Sequence, residues 1–118
     1  MVNVYDYAHN LARALKDAPE YKTLAAARAK LKGRPSAEEM VRDIHKKQIE
    51  LQTLAMQGKE PPKQQQEALE RLYAVVQNDA DVRDFLMAEQ RFSVILNDVY
   101  KILGEAVDID IPGFEKQQ

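Results

Sequence analysis

An all-α fold, a five-helix antiparallel bundle with two long heptad-like helices, is what three features of the sequence predict. Ala, Leu, Glu, Lys, Gln and Arg dominate, and charged residues make up 31% of the chain against 7% aromatic. That is the composition of helical bundles and coiled coils. Apolar residues recur at helical spacing, most clearly at Phe85, Phe92, Leu96, Val99 and Leu103, whose steps of seven, four, three and four trace a heptad seam. Most of the scarce Gly and Pro residues fall between such stretches rather than inside them. A chain of 118 residues buries roughly two-thirds of its unfolded surface, enough for one core. A single helical domain over 1–118 is expected.

The first helix is expected over about 4–16, with Asn3 as its N-cap and Val4, Ala8, Leu11 and Leu15 on one face. Asp17-Ala-Pro-Glu20 restarts the helix, since Asp17 can cap the amide of Glu20 and Pro19 is tolerated in a first turn. The second helix then runs over about 18–32 and Gly33 ends it. Ser36 and Glu39 form a capping box that opens a third helix over about 37–57, carrying Ala37, Val41, Ile44, Gln48, Leu51 and Ala55 in a seam until Gly58.

Lys59 to Pro62 is the clearest break, because two prolines cannot continue a helix but can begin one. Helix four follows over about 63–77, solvated in its first turns and burying Leu69, Leu72, Val75 and Val76. Asn78 and Asp79 stop it and cap helix five over about 80–104, which Gly104 ends or loosens. A short tail, 105–118, cannot be helical throughout. Its Ile109, Ile111 and Phe114 are too apolar for an ordinary solvated terminus, so it either folds back onto a basic surface with Asp108 and Asp110 or waits for a partner.

Helix five is apolar over more than one face, since Val82, Leu86, Ile95 and Ile102 widen the seam sideways. So broad a stripe calls for two-fold self-association, with Phe85, Glu89, Phe92, Leu96, Val99 and Leu103 as interface candidates and a dimer as the favoured state. Glu89 interrupts the seam. A lone acid makes neither a general base nor a metal site without partners, and neither His9 nor His45 stands in the Glu-x-x-His spacing of helical di-iron proteins. Glu89 is therefore expected to pair with a cation or hydroxyl across a helix contact. Gln48 is expected to fix register, and His45 to be a helix-surface histidine. Ser93 lacks a nucleophile elbow, and the five tyrosines follow helix faces.

With no cysteine there is no disulfide and no thiolate ligand. No metal, cofactor, small-molecule substrate or enzyme activity is expected. The N-terminus has neither a basic nor an apolar leader region, and no run is long enough to span a membrane, so a cytoplasmic protein is expected.

Charge is distributed unevenly behind a net of −2. Between Lys22 and Lys47 eight Lys and Arg face three acids, whereas Asp79 to Glu115 holds nine acids and three bases. Arg28, Lys30, Lys32, Arg34, Arg42, Lys46 and Lys47 can meet RNA phosphates, or equally an acidic protein surface such as that of a second copy. Without an aromatic platform, a glycine-rich loop or a basic total, a protein partner is preferred over nucleic acid.

The opening Val-Asn-Val-Tyr-Asp-Tyr-Ala-His-Asn-Leu-Ala-Arg-Ala-Leu, the Pro-Glu-Tyr after it, the stretch Ile-Glu-Leu-Gln-Thr-Leu-Ala-Met-Gln-Gly-Lys-Glu and the later Phe-Leu-Met-Ala-Glu-Gln-Arg-Phe resemble the YheA/YmcA/YlbF family of Gram-positive bacteria, in its YheA-like branch. The resemblance implies an all-helical, cytoplasmic, self-associating protein with no established enzyme activity. It also implies kinship with the YmcA and YlbF branches, which join the protein YaaT in a complex that adjusts messenger-RNA processing by RNase Y and affects competence, biofilm formation and sporulation. That complex is associated with cysteine-held iron–sulfur clusters, which a cysteine-free chain cannot ligate through thiolates. A regulatory adaptor is the function these features favour, with direct RNA binding through the basic 22–47 surface as the alternative.

Overall fold

The computed structural model describes residues 3–108. Within them lie five α-helices: α1 (Val4–Asp17), α2 (Pro19–Leu31), α3 (Pro35–Met56), α4 (Lys63–Val76) and α5 (Ala80–Val107). The described residues include no strand. They group into two compact units: a terminal unit of α1, α2 up to Leu24 and α5 from Met87, and a central unit spanning Ala25–Leu86.

In the terminal unit Asn3 caps α1 as its sequence suggests, its Oδ1 accepting from the Tyr5 amide at 2.8 Å. No residue of α1 is fully buried; Leu11 and Leu15 are half-buried, and Val4 and Ala8 at the start of the same face are exposed. The α1–α2 turn closes through the Ala18 carbonyl, which accepts from the amides of Tyr21 and Lys22 at 3.1 Å each. Tyr21 then meets Phe92 edge to face, with ring centroids 5.4 Å apart, and so ties α2 to α5.

Gly104 does not end α5. It is buried inside the helix, which continues to Val107. A glycine within a helix costs about 1 kcal/mol relative to alanine, and burial without a side chain is the usual reason one is kept. Asp108, with φ +52°, is where the backbone leaves the right-handed region. Residues 109 onward, including the Ile109, Ile111 and Phe114 expected to fold back, lie outside the described residues.

The central unit is organised by an antiparallel α3–α4 hairpin. Gly33 and Gly58, both at positive φ, end α2 and α3 as expected. At the second of these the Lys59 amide donates to the Leu54 carbonyl and the Gly58 amide to that of Ala55, both at 3.0 Å, the two bonds of a Schellman cap. The start of α3 is different from its expectation. Ser36 is inside the helix, which opens two residues earlier at Pro35, with Arg34 at the N-cap and no side-chain capping bond. Proline explains the shift, because its fixed φ suits the first helical position. The Arg34 carbonyl takes the Ala37 and Glu38 amides at 3.0 and 3.1 Å.

Ala37, Val41 and Ile44 of α3 are buried together with Ala27, Leu31, Val76, Val82 and Phe85. The seam of α3 then changes character: Gln48 is exposed, and its amide donates to the Tyr73 hydroxyl at 2.8 Å, fixing the register of α3 on α4. In α4, Val76 is buried and Leu69 and Leu72 half-buried, but Val75 is 49% exposed, because adjacent helical positions differ by about 100° and both cannot face one core.

Ile44 and Val82 are the largest fully enclosed side chains among the described residues. Ile44→Ala is therefore expected to lower unfolding stability by about 2–5 kcal/mol. Urea titration followed by far-UV circular dichroism checks it, and a loss below about 1 kcal/mol would show that the site is not the tightly packed centre described.

Candidate functional site

Among the described residues, two features of the central unit and the surface of α5 carry the available chemistry. The first is a charged clamp. Arg34, at the α2–α3 corner, donates through Nη2 to Asp79 Oδ2 at 2.7 Å and through Nη1 to Asp79 Oδ1 at 3.2 Å, and Nη1 also reaches Asp81 Oδ2 at 3.0 Å. This fork-on-carboxylate geometry is the most directional pairing an arginine makes. Asp79 simultaneously accepts the Val82 amide at 3.2 Å, the N-cap bond of α5. The hydrogen bond from Arg34 and then the Val82 amide hold the Asp79 carboxyl below its ordinary range; the bond and charge of Asp79 raise Arg34, which is charged in any case.

The second feature is a groove of about 390 Å³ along α3 and α4. Ala68, Leu72 and Val75 make its apolar floor, and Asp43, Lys46, Lys47 and Arg71 its rim. Lys47 also bridges to Glu50 at 3.3 Å, one turn on. Of the basic residues expected to form one contact surface, the groove gathers Lys46 and Lys47 and adds Arg71. Arg28, Lys30, Lys32 and Arg42 are exposed elsewhere in the central unit, and Arg34 is engaged by its two aspartates.

The third feature is the surface of α5. Along the heptad seam Phe85 is buried, Phe92, Leu96 and Val99 are half-buried, and Leu103 is exposed. Glu89 is half-buried and engaged with a partner. Another face of the helix is the open one: Met87, Val94 and Ile102 are 48%, 55% and 65% exposed. Met87 and Val94 escaped the sequence analysis because the stronger seam lay on the same helix. Their seven-residue spacing was the available signal.

His45 is not a plain surface histidine. Its ring is half-buried and tilted against Phe85, with centroids 6.5 Å apart. Among the described residues no three His, Cys, Asp or Glu side chains are grouped to hold a metal, and no helix is long and apolar enough to cross a membrane.

The family model described as control of competence regulator ComK, YlbF/YmcA, matches residues 4–108. A UPF0342 protein of Symbiobacterium thermophilum is 60% identical over 109 residues, covering 92% of this chain and 97% of that protein. UPF0342 proteins of Caldicellulosiruptor saccharolyticus and Clostridium tetani are 38% and 35% identical, covering 92% and 99% of this chain and 91% and 100% of theirs. Among solved structures, a protein of unknown function (DUF964) from Bacillus stearothermophilus superposes with a TM-score of 0.68 at 18% identity, over 89% of this chain and 92% of that one. At that identity the likeness is one of fold.

The depressed Asp79 carboxyl makes a pH prediction with a definite sign. Its stabilising contribution is complete above the ordinary carboxylate value of 3.8 and is lost as pH falls through the lower folded value. Asp79→Asn, which keeps the shape and removes the charge, should lower the urea midpoint at neutral pH and flatten its fall below about pH 4. Parallel midpoint-against-pH curves for the two proteins would show that the clamp contributes no linkage.

Proposed function

We propose that this chain, which belongs to the YlbF/YmcA family, is a non-enzymatic helical adaptor that self-associates, as a dimer, and acts through its helix surfaces on other proteins in the cytoplasm. The row of exposed large apolar side chains on α5 is the observation that carries it. Met87, Val94 and Ile102 are joined in the terminal unit by exposed Val4, Tyr5 and Tyr7 of α1, large apolar side chains that a partner surface would take out of water. The family description, control of competence regulator ComK, supports a regulatory role exercised through partners. A place near RNA processing follows from the resemblance to the YmcA and YlbF branches and belongs to the same proposal.

Direct RNA binding through the basic residues of α2 and α3 draws on a patch reduced by internal pairing. Arg34 is held by Asp79 and Asp81, and Lys47 by Glu50. Phosphate recognition depends on cations that neutralise backbone charge, and two of the seven candidates already face carboxylates.

Sedimentation velocity at micromolar concentration is expected to show a dimer, and a stable monomer would overturn self-association. A filter-binding titration with single-stranded RNA is expected to show no binding that weakens with salt. Salt-sensitive binding abolished by Lys30→Glu with Lys46→Glu would replace the adaptor with the RNA binder.

A further inference from the structure

We propose that the open face of α5 pairs antiparallel with the same face of a second copy of this chain, about a two-fold axis at Val94. The inference rests on the self-association proposed above and names the surface that achieves it.

From Met87 onward, the side of α5 turned away from the half-buried seam is exposed at every turn. Met87, Val94 and Ile102 supply its apolar groups. Arg91, Asp98, Lys101 and Glu105 stand between and beyond them, two cations and two acids, all exposed. Together they fall within a sector of about 100° on a helix of 3.6 residues per turn, the width that one partner helix covers. Among the described residues none of the four charges is engaged in an ion pair. Their sum is zero, so the face has no net field with which to attract a phosphate backbone or a strongly charged protein. What it has is an order of signs.

That order is self-complementary when read in the opposite direction. Met87 and Ile102 have their midpoint between Val94 and Ile95, and so do Arg91 and Asp98. An antiparallel copy centred there brings Met87 opposite Ile102, Arg91 opposite Asp98 and Val94 opposite itself, and the two-fold axis repeats the first two contacts. Lys101 then falls beside Met87 of the second copy, where its stem covers the thioether and its ammonium stays in water. Glu105 reaches the level of Arg83 and Asp84, a base and an acid, and favours neither outcome. A parallel pair would set Arg91 against Arg91 and Asp98 against Asp98, and an antiparallel pair shifted to join Arg91 with Glu105 would set Asp98 against itself on the axis. Like charges disfavour both. Steps of four, three, four and three from Met87 through Arg91, Val94 and Asp98 to Lys101 are those of helices crossing at a shallow angle, and the stretch Met87–Ile102 rises about 22 Å. These residues all belong to the terminal unit, so the face and its counterpart are one surface used twice.

Cysteine placement tests the register in the full chain, which has no cysteine of its own. Val94→Cys is expected to give a disulfide-linked dimer on mild oxidation, because a residue on the axis meets its own copy. Ile102→Cys should link at least about tenfold more slowly, since its two copies lie about 22 Å apart along the pair, beyond disulfide reach. Mixed with Met87→Cys, it should form the mixed disulfide in excess of either like pair. Charge reversal is the second readout. Arg91→Asp sets acid against Asp98 in both contacts and Asp98→Arg sets base against Arg91; both positions are exposed, so helical circular dichroism should be retained. Each variant alone should self-associate about tenfold more weakly by sedimentation, since two attractive contacts become repulsive. An equal mixture should recover the dimer, because unlike copies pair opposite charges at both contacts.

Ile102→Cys linking as readily as Val94→Cys, or charge variants that stay dimeric or fail to recover on mixing, would overturn this contact. With the unmodified protein still dimeric, that result would leave self-association standing through another surface and give the open face of α5 to a different protein. A monomeric unmodified protein would overturn both. Where a charge variant failed to fold, the cysteine variants decide alone.

Discussion

Arg34 and Asp79 join the two chain connections at the end of the α3–α4 hairpin that the Gly58 turn leaves unclosed. α3 and α4 form an antiparallel hairpin closed at one end by the Gly58 cap and the Pro61-Pro62 connection. The other end brings the entry to α3 beside the exit from α4, and there the chain continues in two directions, back into α2 and on into α5. A guanidinium placed just before α3 and a carboxylate placed just after α4 join those connections directly. Asp79 is 14% exposed at its side chain, whereas Arg34 is 40% exposed. The acid is therefore the enclosed member of the pair, and it is also the residue that caps α5. One carboxylate thus sets both the closure of the hairpin and the starting point of the longest helix. Pairs open to solvent on one side contribute through geometry more than through raw Coulomb attraction, and this one is bidentate with a third contact to Asp81.

Beyond the clamp, few large side chains are enclosed. Among the described residues alanine supplies three of the ten buried apolar residues, Ala27 and Ala37 in the central unit and Ala88 in the terminal unit, and these contribute much less burial than a leucine or phenylalanine in the same place. Larger apolar groups such as Met87, Val94 and Ile102 remain at the surface. Polar bonds hold registers that packing leaves under-determined, as Gln48 and Tyr73 do midway along the hairpin. Helices with a modest core and apolar side chains left outside gain more from further burial than a well-filled bundle would. The same surface that limits internal stability is what the chain has available for partners.

The sequence was legible where a signal was local. Asn3, Asp79, Gly33 and Gly58 act within a turn of themselves, and each caps or ends the helix it was expected to. It was less legible where two local signals competed. Ser36 and Pro35 both mark a helix start, and the fixed φ of proline prevailed over the capping hydroxyl. Gly104 carries a stop signal that burial inside α5 overrode. It was silent where the partner was distant in the chain: Arg34 appears in sequence as one more cation of a basic stretch, and its aspartate lies 45 residues away. The groove is of the same kind, because Arg71 joins Lys46 and Lys47 only once α4 has folded back along α3.

Folding also redistributes the charge polarity that stands out in the chain. A stretch with eight cations and three acids seems to offer one basic surface, yet the clamp removes Arg34 from it and Glu50 engages Lys47. What α3 then presents together with α4 is a narrow cationic rim over an aliphatic floor. Phosphate backbones are read by broad arrays of unpaired cations, whereas this rim is narrow and one of its three cations, Lys47, is paired with Glu50. The ion pairs of Arg34 and Lys47 therefore do more than stabilise. They reduce the unengaged cations among the seven candidates to five, Arg28, Lys30, Lys32, Arg42 and Lys46, all of them exposed.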